Sequence, residues 1–151
     1  MKNKLRYYSI IEISKKLNEK LILVGSNWKQ GTKNFKENNF KSHYVRSLYK
    51  NNVCLDFGSK WGSLSLYPRS IEIIESGGFL LQSLQKDSKE IFGSNFNNIT
   101  FNSFDSMMDK IDFFIENPDY LNDYFKKIIN IFENDQLNNK SLDKIWEISK
   151  N

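Results

Sequence analysis

The stretch Asp56–Gln82, DFGSKWGSLSLYPRSIEIIESGGFLLQ, decides how this chain folds. A short apolar run, Val53–Phe57, leads into it as a strand. A loop rich in small residues follows, with Gly58, Ser59, Gly62, Ser63 and Ser65. Pro68 then opens a helix, because proline's fixed φ and missing N–H suit the first helical position. That helix reads to Ser76 and closes on Gly77-Gly78, where the backbone can turn through the left-handed region. Phe79–Gln82, FLLQ, is the next buried strand.

Outward from this unit the alternation continues. Arg6–Leu17 carries Ile10, Ile11, Ile13 and Leu17 as part of a helical apolar face. Leu21–Val24 is a short apolar run ended by Gly25, a buried-strand signal. Gln30–Ser42 is polar and rich in Asn and Lys, and reads as a loop. Tyr44–Tyr49 has helical spacing. Downstream, a short helix is expected near Ser88–Phe92 and a strand at Ile99–Phe101. Ser103–Glu116 and a helix begun by Asn117 and Pro118 follow, the asparagine as its cap. Asn134–Lys140 reads as a second polar loop, and Leu142–Ser149 as a last short helix. Helices alternating with strands predict an α/β fold: a small parallel, Rossmann-like sheet flanked by helices, with a helical tail from about residue 103 to 151. The Met and aromatic stripes of that tail, such as Met107, Met108, Ile111, Phe114 and Ile115, are expected to be core packing.

Composition bounds the function. The 151 residues fit one domain, and 39% hydrophobic with 15% aromatic content supplies a core. No apolar run is long enough to span a bilayer, and the N-terminus lacks a signal-peptide pattern, so a cytoplasmic protein is expected. A single cysteine, Cys54, excludes a disulfide framework and a Cys-cluster metal site; it reads as an inert core residue. One histidine, His43, leaves little for a zinc site or a triad. The net charge of +4 comes almost wholly from lysine, the arginines being Arg6, Arg46 and Arg69. The chain is rich in Asn and Ile and has no alanine. AT-rich coding therefore accounts for the lysines, and no nucleic-acid partner is expected. Residues 1–60 carry thirteen basic and four acidic side chains, and the remainder nine and fourteen. The first half could face an anion, or simply be a solvated surface.

In open parallel sheets, ligands bind beyond the carboxyl ends of the strands. That directs attention to Gly25–Trp28, Gly58–Tyr67 and Gln82–Lys86. The helix begun at Pro68 offers the amides of Arg69, Ser70 and Ile71, which have no partner within it, together with the positive end of its dipole. Such a terminus suits phosphate. Arg69 adds a planar fork of donors, and Glu72, at i+3, lies on the same face. Its carboxylate could accept from a sugar diol. The same spacing also fits a plain surface pair between Arg69 and Glu72. Ile71 and Ile74 are expected to face the sheet. Asp56 is either a ligand-edge residue or a strand-end cap. Neither G-x-x-x-x-G-K-[ST] nor G-x-G-x-x-G occurs.

The string YPRSIEIIESGGFLLQ (67–82) resembles the R-x-F-E…G-G-F-L-L motif in the C-terminal domain of GT-B glycosyltransferases, closest to the bacterial spore-maturation, CgeB-type group. Arg69 matches the motif arginine. Glu72 matches the glutamate that in the wider superfamily contacts the donor nucleotide's ribose. Gly77-Gly78 matches the family's glycine turn. LILVGSNW (21–28), LYKNNVCLDF (48–57) and the tail SMMDKIDFFIENPDYLNDYFKKI (106–128) resemble the corresponding family segments. The resemblance covers about residues 5–135, and the specific motif about 53–83. Ile71 replaces the usual Phe, and Leu64 stands where the E-x7-E variant has its first glutamate.

The resemblance implies half of a GT-B fold: one donor-binding domain over 1–151, with the acceptor domain missing and supplied, if anywhere, by a separate domain or chain. Its ligand would be a nucleotide-sugar donor, bound without metal or other cofactor. Arg69 would stabilise the leaving diphosphate with the amides of Arg69, Ser70 and Ile71, and Glu72 would hold the ribose. Gly25, Ser26 and Trp28 would border the sugar or phosphate. Tyr67 or Trp61 could stack on the base, or be packing; Lys60 could meet phosphate, or be solvated. The competing reading is a non-catalytic Rossmann-like interaction module that pairs with another chain.

Overall fold

The computed structural model describes residues 2–25, 35–37, 42–58 and 68–133. Its elements in chain order are α1 (Lys2–Leu17), β1 (Leu23–Gly25), β2 (Phe35–Glu37), α2 (Ser42–Tyr49), β3 (Val53–Asp56), α3 (Pro68–Glu75), β4 (Phe79–Ser83), α4 (Ser88–Phe92), α5 (Phe96–Ile99), β5 (Thr100–Phe101), α6 (Phe104–Glu116) and α7 (Pro118–Glu133). Strands β3, β4 and β5 form a parallel sheet in that order, with Cys54 opposite Leu80, Asp56 opposite Gln82, and Gln82 opposite Thr100. Strands β1 and β2 form a parallel pair, Leu23 opposite Phe35. The expected α/β alternation is thus observed, with helices on both faces of the three-stranded sheet. Strand β2 corrects the reading of Gln30–Ser42 as loop throughout. Its three residues, Phe-Lys-Glu, carry no apolar alternation, and what defines them is backbone pairing to β1, which side-chain pattern does not encode.

The sheet's two faces carry two cores. On one, Cys54 and Leu80 meet Ile73 and Ile74 of α3, Phe92 of α4, Ile99 of α5, and Tyr124 and Ile128 of α7. On the other, Leu81 and Phe101 meet Ile10 and Ile13 of α1 and Met107, Met108 and Ile111 of α6. The alternation of Cys54 with Leu55 and of Leu80 with Leu81 follows from the period of two along a strand. Met107, Met108, Ile111 and Phe114 are core, as expected, whereas Ile115, expected on the same stripe, is 39% exposed because it falls on the outer side of α6.

The turn from α3 into β4 is a Schellman motif. Gly78 N–H donates to the Ile73 carbonyl at 2.9 Å and Gly77 N–H to that of Ile74 at 3.0 Å, with Gly77 at φ +79°. The Gly77 carbonyl then accepts from Asn51 N–H, and Phe79 N–H donates to the Asn52 carbonyl, which sets the register of β4 on β3. Ser103 caps α6, its hydroxyl accepting from Ser106 N–H at 3.1 Å. Asn117 precedes α7 as expected, and its carbonyl accepts from Leu121 N–H. Its side chain turns the other way: Nδ2 donates to the Phe113 carbonyl at 2.8 Å, closing α6 rather than opening α7. The expected helix at 142–149 and the loop at 134–140 lie outside the described residues.

Candidate functional site

Helix α3 begins where the geometry of parallel sheets places ligands, and the end of β3 holds its first turn. Asp56, the last residue of β3, is only 3% exposed. One carboxylate oxygen accepts from Gly58 N–H at 2.9 Å, the other from the Ser70 hydroxyl at 2.7 Å. Of the two roles open to it, the observed one is the strand-end cap, extended to tie α3 to β3. Ser70 Oγ also lies 3.3 Å from Gln82 Oε1; Gln82 Nε2 lies 3.0 Å from Ser88 Oγ, which accepts from Gln85 N–H at 3.2 Å. A hydroxyl carries one proton, and Asp56 takes that of Ser70. Turning the Gln82 amide by 180° removes the conflict: Nε2 donates to Ser70, and Ser88 donates to Oε1. This relay joins the exits of β3 and β4 to the starts of α3 and α4.

With Ser70 turned inward, helical spacing sends Ile73 and Ile74 inward too, each 1% exposed. Ile71 therefore does not face the sheet as expected; it is 36% exposed. Arg69, Ile71, Glu72 and Glu75 instead form the outer face of α3. Together with Pro68 and with Arg46 of α2, they line an open groove of about 500 Å³.

Inside the groove the ion pair differs from the one the spacing suggested. Glu72 Oε1 is 3.5 Å from Nε of Arg46, across from the neighbouring helix. Burial pushes the Tyr49 phenol up, Glu72 adds to that, and Arg69 opposes it. Arg6 of α1 lies with its guanidinium 6.0 Å from the centre of the Phe57 ring, immediately after Asp56. Its pKa is lowered by burial and by the neighbouring positive charge of Arg69, while Asp56 pulls it back.

The sequence-derived site is thus partly assembled. Arg69, Ile71 and Glu72 share the groove, Ser70 lies beneath it with its side chain committed to Asp56, and Gly25 ends β1. Ser26, Trp28, Lys60, Trp61 and Tyr67 lie outside the described residues. His43 is exposed in the first turn of α2. Burial pushes the Cys54 thiol up to about 12, as suits a core residue. Arg46 was missed, although its rarity in a lysine-rich chain was a usable signal. Among the described residues, no three His, Cys, Asp or Glu side chains are arranged to hold a metal ion, and no helix is long and apolar enough to cross a membrane.

A parallel α/β sheet with helices on both faces, and a groove of two arginines and two glutamates at the head of the helix after a strand exit, defines a Rossmann-like class of domain. Residues 8–146 match the glycosyl transferase-like family model, so the chain belongs to that family. No match was found among curated proteins or among solved structures.

Proposed function

We infer that this chain is the donor-binding half of a GT-B glycosyltransferase of CgeB type, a single domain over residues 1–151, which takes a nucleotide-sugar donor. The observation that carries this reading is the shared groove of Arg69 and Glu72 at the head of α3. The family match supports it. Glycosyl transfer expels a nucleoside diphosphate whose charge grows in the transition state. Arg69, with the amides of Arg69, Ser70 and Ile71, meets that charge without a metal, and Glu72 accepts from the ribose hydroxyls. Asp56 fixes the Ser70 side chain, so the turn bearing those amides is held in place before the ligand arrives. Gly25, Ser26, Trp28 and Tyr67 complete the donor site. The acceptor side comes from another domain or chain, and the site works in the cytoplasm.

A thermal-shift titration with UDP, GDP, ADP, CDP and dTDP, in EDTA and then with magnesium, tests this. One nucleotide is expected to raise Tm by several degrees at about 100 times its Kd, in EDTA as well. Arg69→Ala is expected to abolish the shift. A shift that survives in Arg69→Ala removes the site assignment. No shift with any nucleotide favours the non-catalytic interaction module, and a pull-down for a partner chain follows.

A further inference from the structure

The chain uses three arginines against nineteen lysines, and all three stand around the first turn of α3. Arg69 is on that turn. Arg6 lies over Phe57, next to the Asp56 that holds the turn. Arg46 reaches the groove from α2 and meets Glu72. Where charge alone is enough, this chain places lysine; arginine differs in its rigid fork of five donors, which fits oxyanions in pairs.

The contact of Arg46 with Glu72 does not account for an arginine. At 3.5 Å it is longer than a good charged hydrogen bond, and the two side chains are 59% and 33% exposed. Such a pair contributes little, and a lysine would make it equally well. The fork has donors to spare, and it faces the same groove as Arg69.

We propose that Arg46 is a second oxyanion-binding arginine, which grips the diphosphate of the donor across the groove from Arg69. Glu72 is its resting partner. When the ligand enters, the guanidinium turns its free edge to the phosphate oxygens, and Glu72 is released to the ribose. Arg6 adds positive potential behind Arg69. Glu75, also in the groove, and Glu72 are the carboxylates that a diphosphate must approach; with Arg69 alone they leave the groove net negative, and Arg46 brings it to neutral. This proposal rests on the donor-site reading, and its test separates the two.

The 151-residue chain is titrated calorimetrically with inorganic pyrophosphate and with the five nucleoside diphosphates. Wild type, Arg46→Lys, Arg46→Ala and the control Lys126→Ala, at an exposed position of α7, are compared. Arg46→Lys is expected to weaken pyrophosphate and the responding nucleotide by at least about tenfold, and Arg46→Ala further. Lys126→Ala should bind as wild type, and the unliganded melting temperatures of all four should agree, which excludes misfolding. If Arg46→Lys binds both ligands as wild type does, Arg46 has no phosphate role, whether or not Arg69→Ala still abolishes nucleotide binding. If pyrophosphate binds in an Arg46-dependent way and no nucleotide does, the oxyanion clamp stands and the nucleotide-sugar reading falls. If wild type binds neither ligand, both fall.

Discussion

Ser70 joins three elements through one short side chain: its hydroxyl donates to Asp56 at the end of β3 and touches Gln82 on β4. It is 1% exposed, so no water can replace a lost partner. Ser70→Ala leaves Asp56 buried with one oxygen unsatisfied, a cost of about 1–3 kcal/mol. Chemical denaturation should show that loss, and a variant within 0.5 kcal/mol of wild type (about the scatter of surface substitutions) would mean the relay does not hold the turn. At this scale the sequence was legible for charge and poor for polarity. Arg69 and Glu72 were recognisable on α3 because i+3 spacing places them on one face. The true partner of Glu72 was not, because Arg46 is far away in sequence and is brought close only by the packing of α2 against α3. The inward turn of Ser70 was hidden for the same reason: a serine reads as surface until a buried carboxylate is found opposite it.

Helix α3 is short, and its ends are built with unequal stringency. Its C-terminal turn demands glycine twice, for different reasons. At Gly77, φ of +79° costs a side chain about 1–2 kcal/mol. At Gly78, a Cβ would sit 2.9 Å from the Tyr49 carbonyl oxygen and 3.0 Å from both Cγ2 and the carbonyl oxygen of Ile73. Those are atoms of packed backbone and core, which cannot swing aside. Gly78→Ala should therefore cost about 1–3 kcal/mol and disturb the register of β4 as well. Amide exchange at Phe79–Ser83 would register it; unchanged protection would refute the close-packing argument. Elements were the most legible level. Long periodic segments such as α6 and α7, and turns marked by Pro68 and Gly77-Gly78, were readable because local chemistry dictates them. Strand β2 was not, since a three-residue strand whose identity lies in backbone pairing leaves no trace in hydropathy. Nor was the face of α3: Ile71, Ile73 and Ile74 are alike in sequence, and only the inward Ser70 selects which of them is buried.

For the whole molecule, two cores on one small sheet make stability sensitive to groups that must stay neutral. Cys54, Tyr49 and Tyr124 all have raised pKa values, with burial as the largest cause in each. The unfolded chain releases its thiol proton near 9.0, the folded chain near 12. Below pH 9 this contribution to stability is fully present. As pH climbs from 9 toward 12, ionisation favours the unfolded chain and the contribution is lost. Lys110, lowered by burial from 10.5, works in the opposite sense as pH rises toward 10.5. Melting temperature should be level from pH 7 to about 9 and fall beyond it, and Cys54→Val should make the fall shallower. A wild-type Tm that stays level to pH 11 would contradict this. For the same reason, iodoacetamide at pH 8 should spare the native thiol.

The relay from Asp56 through Ser70, Gln82 and Ser88 to the Gln85 amide also constrains how the protein can change over evolutionary time. Each hydroxyl there has its one proton committed, so replacing any member strands its neighbour, and a second replacement is then favoured that the first alone made acceptable. Substitutions along this edge should be contingent on one another, appearing in linked sets, and a variant harmless beside one partner should be damaging beside another. Ile71 and Glu75 line the groove outside this relay. Substitutions at Ile71 or Glu75 can therefore drift while the frame beneath them stays locked.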